Sequence, residues 1–415
     1  MRAAYPSVTA DSKRILINQA LRGFAYGFGA VLLGASLQAR GWSSIQVGFL
    51  LTTIIAGIAV MSIVVGMLGD RIGRRRLYAA LFLLMAAAGT VFALTSQFWL
   101  LLLAALTGTL STDVVEAGPL SSLEVVMLPT GLTGNARTRI FGTYNTVAVL
   151  AGSTGALLAG GPALLRRVWP GVPADQRFFL VFLVVGLAGG WLATSLSERV
   201  EVRAARSGRP LGRSRPAVLR LAALFSVDAF AGGFIVQSFI AYWFRLRFGV
   251  PLETLGLVFF LVGLLQAASF AAATRLAGRI GLLNTMVFTH LPSNLLLAAI
   301  PLAPTFPLAL ALLFARFALS QMDVPTRQAY VLALVDPEER TAAIAFTNTA
   351  RYVVRPLAPV LAGFAQQVSL GLPFVLAGSI KAGYDLVLWA SFRGRAIVPT
   401  EAESRQEGRR WPPPQ

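Results

Sequence analysis

The chain of 415 residues carries 36 Lys and Arg against 18 Asp and Glu, and only 13% of its residues are charged while 56% are hydrophobic. Soluble domains run at roughly 25% charged, so a water-facing surface cannot be built from this composition; disorder, collagen and coiled coil each need more charge or a repeat that is absent. With no Cys and a single His (His290), disulfide scaffolds, Cys/His zinc sites and thiol nucleophiles are excluded as well, which leaves a polytopic membrane protein.

Apolar runs of about 20 residues can cross roughly 30 Å of hydrocarbon. Twelve such spans are predicted, at 14–38, 44–66, 77–96, 98–127, 140–165, 177–197, 217–243, 252–275, 283–303, 306–334, 341–366 and 371–392, numbered 1 to 12 here. The opening MRAAYPSVTADSKR lacks the small-residue cleavage site of a leader, and the run after it is too long for one, so span 1 reads as a retained helix. The closing PTEAESRQEGRRWPPPQ is polar and Pro-rich and reads as a disordered tail.

Placed along these spans, about 24 of the 36 basic residues fall on the side of the two termini and about six on the other, the bias of the positive-inside rule. Both termini are therefore expected in the cytoplasm. The net charge of +18 becomes an orientation signal, and nucleic acid is not expected as a partner.

The chain also repeats itself at half its length. RGFAYGF (Arg22 to Phe28) aligns with DAFAGGF (Asp228 to Phe234), Arg71-Ile72-Gly73 with Arg279-Ile280-Gly281, and Pro129 with Pro337, at a nearly constant offset. Two six-helix halves are expected: a first bundle over 1–197, a basic connector over 198–216, a second bundle over 217–392 and a tail over 393–415. Parallel duplication of a six-helix unit places a solute site between the halves near the bilayer midplane.

Between spans 2 and 3 lies GMLGDRIGRRR, Gly66 to Arg76, which reads G-x-L-x-D-R-x-G-R-R at Gly66, Leu68, Asp70, Arg71, Gly73, Arg74 and Arg75. This loop resembles the signature of the major facilitator superfamily, and with the twelve spans and the duplicated halves the resemblance covers the whole chain. Gly66 is expected to permit close helix packing and Gly73 a tight turn. The resemblance implies that Asp70 faces the N-terminus of span 11 and that Asp70 and Arg71 latch the outward-open state. The second copy, TRLAGRIG, has Gly278 where the Asp would stand, so the latch is expected in one half only. Span 5 carries GSTGALLAGGP (Gly152, Gly155, Gly160, Gly161, Pro162), whose spacing departs from the superfamily's antiporter motif and reads as small-residue packing.

Ionisable side chains inside spans are costly and face a cavity or a partner. Eleven are expected: Arg22 in span 1, Asp113 and Glu116 in span 4, Asp228 in span 7, Arg316, Asp323 and Arg327 in span 10, Arg351 and Arg355 in span 11, Lys381 and Asp385 in span 12. In the superfamily spans 1, 4, 7 and 10 line the central cavity. Most of these charges lie about 7–11 residues from the terminal end of their spans, a layer roughly 10–17 Å deep at 1.5 Å per residue. The repeat puts Arg22 and Asp228 at equivalent positions, so they are expected to face each other. Asp113 and Glu116 share a helical face just before Gly118-Pro119, and Glu116 or Asp323 is the expected proton-coupling carboxylate. Arg327, Arg351 and Arg355 complete the expected substrate or coupling set. Lys381 and Asp385 read as an internal ion pair, His290 as hydrogen-bonded structure outside the site, and Glu124 as a partner of Arg137 or Arg139.

The expected protein is an all-α secondary carrier working by alternating access in a plasma (inner) membrane, coupled to protons, for a small polar solute, anionic solutes included. It is expected to act as a monomer and to need no cofactor or metal, and with one His and no Cys it is not expected to be an enzyme. A proton-driven exporter of drugs or metabolites would instead want a cavity lined by aromatics such as Phe24, Tyr26, Phe28 and Trp243, and a lipid-moving protein would want a polar groove open sideways to the bilayer.

Overall fold

A computed structural model of the chain describes residues 9–113, 118–129, 134–201 and 211–394, the side chains at 70, 134–139, 274, 337 and 341 excepted. The described residues are helical and form no strand. The apolar stretches have no water to satisfy their backbone groups, and a helix satisfies them internally.

The chain opens with α1 (Ala10–Ala39), α2 (Ser44–Ile72) and α3 (Arg74–Leu94). Then come α4 (Phe98–Ala105), α5 (Pro119–Met127), α6 (Gly134–Leu158), α7 (Gly161–Val168) and α8 (Val181–Thr194). After residue 211 follow α9 (Arg215–Gly233), α10 (Gln237–Phe248), α11 (Leu252–Ile280), α12 (Leu282–Ala299) and α13 (Phe306–Ser320). The last four are α14 (Asp323–Leu334), α15 (Arg340–Val354), α16 (Leu357–Val368) and α17 (Leu372–Phe392). Ten stretches among the described residues are long and apolar enough to cross a membrane, three of them made of two successive helices (α6 and α7, α9 and α10, α13 and α14). The other two predicted spans are also carried by two helices each, span 4 by α4 and α5 and span 11 by α15 and α16.

Proline explains the divisions. Pro119, Pro162 and Pro325 sit in the first turns of α5, α7 and α14, where a missing N–H costs nothing, and Pro356 caps α16. Gly118 precedes Pro119 in extended conformation (φ −138°, ψ −170°), which frees the backbone before α5.

Helices before residue 201 pack largely on one another, as do those after 211, and the two groups meet along α1 with α10, α2 with α16 and α6 with α11. Glycine makes these meetings close. A Cβ at Gly34 would strike the Ser238 carbonyl, at Gly48 it would lie 2.5 Å from the Pro359 oxygen, and at Gly256 2.8 Å from the Ala156 oxygen. The Thr52 hydroxyl bridges the break in span 11, donating to the Pro356 carbonyl (2.8 Å) and accepting from the Val360 N–H (3.0 Å). All of these residues lie in the half of the molecule away from the termini, so that half is closed. The glycines of span 5 pack as small residues: Gly152 abuts Gly27, and Gly155 abuts the Phe24 backbone.

At the terminal face two glutamates each gather backbone amides. Glu201 accepts from Arg74 N–H (2.7 Å) and Arg75 N–H (2.9 Å) at the start of α3, where Gly73 turns the chain at φ +98°. Glu339 accepts from Gly212, Arg213 and Ser214, each at 3.1 Å, ahead of α9. Both carboxylates meet the positive ends of helices.

Candidate functional site

Arg22 is carried on α1 with a side chain 3% exposed. Its guanidinium lies 2.5 Å from Glu124 of α5, bonds Gln19 one turn back and donates to the Tyr144 hydroxyl at 3.1 Å. Glu124, 0% exposed, also accepts from Tyr78 and Tyr144, both at 2.6 Å. Four helices, α1, α3, α5 and α6, thus enclose one neutral ion pair, in which Glu124 accepts from three side chains while the Arg22 Nε is left without a partner among the described residues. This corrects one expectation, since Arg22 does not face Asp228; Glu124 pairs with Arg22, and the side chains of Arg137 and Arg139 lie outside the described residues. The interruption of span 4 is the cause, because α5 restarts at Pro119 and sets Glu124 against α1.

Asp228 of α9 finds its counter-charges within its own helix group. Lys381 of α17 contacts it directly, Arg327 of α14 lies at 3.5 Å, Arg351 of α15 at 3.7 Å and the His290 ring of α12 at 3.9 Å. Arg327 also holds Asp323, one turn earlier, at 2.8 Å. Asp385 accepts from Asn294 (2.8 Å) and meets His290 Nδ1 (2.9 Å). Lys381 and Asp385 are therefore not each other's hydrogen-bonded partners: Lys381 reaches across to α9 while Asp385 turns to α12. His290 is hydrogen-bonded as expected, but it stands inside the cluster, bridging two carboxylates. Asp228, Asp323 and Asp385 balance Lys381, Arg327 and Arg351, which a bilayer interior demands.

Between the two clusters a third pair joins the groups. Asp113, in the break between α4 and α5, lies 2.5 Å from Arg355, in the break between α15 and α16, and accepts the Gln237 N–H at 2.9 Å. Both side chains are about a quarter exposed (24% and 23%), as is Arg351 (26%), whereas Arg22, Glu124 and Asp228 are sealed. Next to them Ser238 donates through its N–H (3.2 Å) and hydroxyl (3.1 Å) to the Thr112 carbonyl. Glu116 lies outside the described residues.

In the signature loop, Arg71 is exposed, Arg74 is buried and Arg75 donates to the Leu196 carbonyl at 3.0 Å. The side chain of Asp70 lies outside the described residues. Among the described residues no heavy atom lies within 4 Å of where a Cβ at Gly66 would stand, so the close packing expected there is not made among them; it occurs at Gly48 and Gly57 on the same helix. Among the described residues no group of three His, Asp or Glu is placed to hold a metal ion. Of the four aromatics weighed as a cavity lining, Tyr26, Phe28 and Trp243 are core residues, and the Trp243 indole donates to the Leu370 carbonyl at 2.9 Å.

The sequence matches the Major Facilitator Superfamily over residues 15–359. The chain belongs to that superfamily. It is 25% identical to an uncharacterized membrane protein of Saccharomyces cerevisiae, over 94% of this chain and 96% of the yeast protein. Its fold is similar to that of a bacterial homolog of the human lysosomal transporter Spinster in an inward-facing, occupied conformation (TM-score 0.72, 15% identity, 96% of this chain and 100% of that one). It is also similar to a D-xylose–proton symporter (TM-score 0.69, 14% identity, 93% and 98%). The Major Facilitator fold places the three charge groups on helices that pack around one another, one group in each set of helices and the Asp113–Arg355 pair across the junction.

Proposed function

We propose that this protein is a secondary active transporter that carries a small polar solute, anionic solutes included, by alternating access and in exchange with or alongside protons. The Asp113–Arg355 pair carries this reading: it ties the two helix groups at the closed half, is partly exposed, and must part if that half is to open. Residues 1–197 and 217–392 then act as two bundles hinged through 198–216, with 393–415 trailing in the cytoplasm. The closed half faces outward, and Arg22, Asp228, Arg327 and Arg351 lie toward the cytoplasmic opening. The Spinster homolog's inward-facing form supports the same state for this chain, and the symporter supports coupling to protons.

Asp323 is the proposed coupling carboxylate, with Glu116 as the alternative. Among the described residues Asp323 has one strong cationic partner, Arg327, whereas Glu124 accepts from three side chains and Asp228 is surrounded by four cationic or titratable groups. A single strong contact ties Asp323 down less than the several that hold Glu124 and Asp228. Metabolites that stabilise the purified protein at two pH values would supply the solute for proteoliposomes under an imposed pH gradient. Asp323→Asn is expected to abolish accumulation against a gradient while sparing exchange; full accumulation by the variant would remove Asp323 from the coupling step.

A further inference from the structure

Among the described residues the two buried charge clusters are neutral, and the junction differs from them. The Arg22 cluster is neutral, and so is the Asp228 cluster with His290 uncharged. Around Asp113, however, two guanidiniums meet one carboxylate: Arg355 holds it at 2.5 Å, and Arg316 of α13 feels its charge without a hydrogen bond to it. Arg316 is 8% exposed, its guanidinium carbon lies 4.6 Å from the centre of the Phe317 ring, and its Nε and Nη1 have no partner among the described residues. Leaving such donors unmet in an apolar surround is costly, and a ring face does not replace an acceptor. Unfilled polar atoms also gather nearby: Ser320 Oγ, one turn along α13, and Gln237 Nε2 and Thr112 Oγ1, whose backbones flank or bond Asp113.

We propose that Arg316, with Gln237 and Ser320, is the seat for a single oxyanion group, a carboxylate or a phosphate, of the transported solute. The inference builds on the transport reading above and names the chemistry its site would take. The unmet guanidinium donors of Arg316 favour a negatively charged group, and all the donors are N–H and O–H groups that an oxyanion accepts from directly. Seated there, the anion also competes with Asp113 for Arg355, so binding loosens the pair that holds the closed half together. Solute recognition and opening then share one guanidinium.

Full-length protein in lipid nanodiscs would be titrated with inorganic phosphate and, separately, with succinate, at ionic strength held constant with chloride, following thermal unfolding by tryptophan fluorescence. Saturable stabilisation by either anion is expected, and the two arms tell a phosphate seat from a carboxylate seat. Arg316→Gln is expected to weaken the apparent affinity by at least about tenfold, since hydrogen bonds to charged groups are the strong ones, and Arg316→Lys to restore part of it. Should Arg316→Gln fail to fold, Gln237→Leu carries the test with an expected loss of about threefold or more. Stabilisation by neither anion, or an unchanged response in these variants, overturns the proposal. So does stabilisation that appears only in Glu116→Gln, which would make Glu116 the resident counter-charge. Transport is read separately: uptake of a neutral sugar unaffected by Arg316→Gln would leave the transporter standing without the seat, whereas an anion that binds through Arg316 but never crosses the bilayer would keep the seat and remove transport.

Discussion

At the scale of single residues, what decides the arrangement is the distance to the nearest opposite charge. Arg22 and Asp228 stand at matching positions of the internal repeat, yet each is neutralised within its own helices. Partners on a neighbouring helix of the same group can settle at hydrogen-bond distance and stay there, whereas a partner across a moving junction would leave both charges bare on every cycle. The sequence showed that the charges were there, and sequence spacing alone could not show who meets whom. Glu124 was overlooked as a buried partner because a continuous span 4 would have left it near the end of a helix. Outside the membrane, Glu339 shows the effect of a well-filled carboxylate. Burial raises its pKa, but the Ser214 hydrogen bonds and the amides of Gly212 and Arg213 prevail and hold it below the ordinary value of 4.5. A depressed carboxylate stabilises the fold above its unfolded pKa and loses that contribution as pH falls through its folded value. Wild type is therefore expected to melt above Glu339→Gln at neutral pH, with the gap closing below about pH 4.5; a gap independent of pH would show that the carboxylate charge is not what docks the segment at Gly212.

At the scale of helices, apolar length located ten stretches, and Pro and Gly marked interruptions in several spans. Gly118-Pro119 was readable as a loosening; that span 11 would also divide at Arg355-Pro356 was not, because a proline in the middle of an apolar run is compatible with a kink or a break. The pairing of glycines between helices was legible in kind but not in place: Gly66 belongs to the recognisable loop and packs against none of the described residues within 4 Å, while Gly155 packs on the Phe24 carbonyl. Gly155→Ala should cost about 1–3 kcal/mol, the usual penalty of overpacking. Gly142→Ala, on the same helix with open space around it, should be neutral or gain up to about 1 kcal/mol from helix propensity. Thermal unfolding of both variants checks the contrast, and equal effects would mean that the α1 to α6 contact yields to an added methyl.

At the scale of the whole molecule, the fold class was fully legible, since composition, the spacing of apolar runs, the repeat and the Gly66 to Arg76 loop point the same way. The site was legible only as a set of costly residues. Its organisation into one sealed pair, one cluster around a sealed Asp228 and one partly exposed junction depends on helix breaks and on lateral packing that no periodicity encodes. The junction is where the two helix groups are held, and neutralising Asp113 should loosen it. With Ala241→Cys as a reporter, buried at 0% exposure in a chain that has no cysteine of its own, Asp113→Asn is expected to speed labelling by a membrane-impermeant maleimide several-fold. Labelling no faster than in the parent would place the hold elsewhere along the α1 to α10 contact.

That contact has a kinetic side. Where Gly34 meets Ser238 and Gly48 meets Pro359, backbone lies on backbone, and Arg245 of α10 donates to Gln38 of α1 at 3.3 Å. Parting these surfaces frees few long side chains. The barrier to separation is then set largely by wetting carbonyls and amides along a narrow strip, and its height should respond to the water activity of the medium.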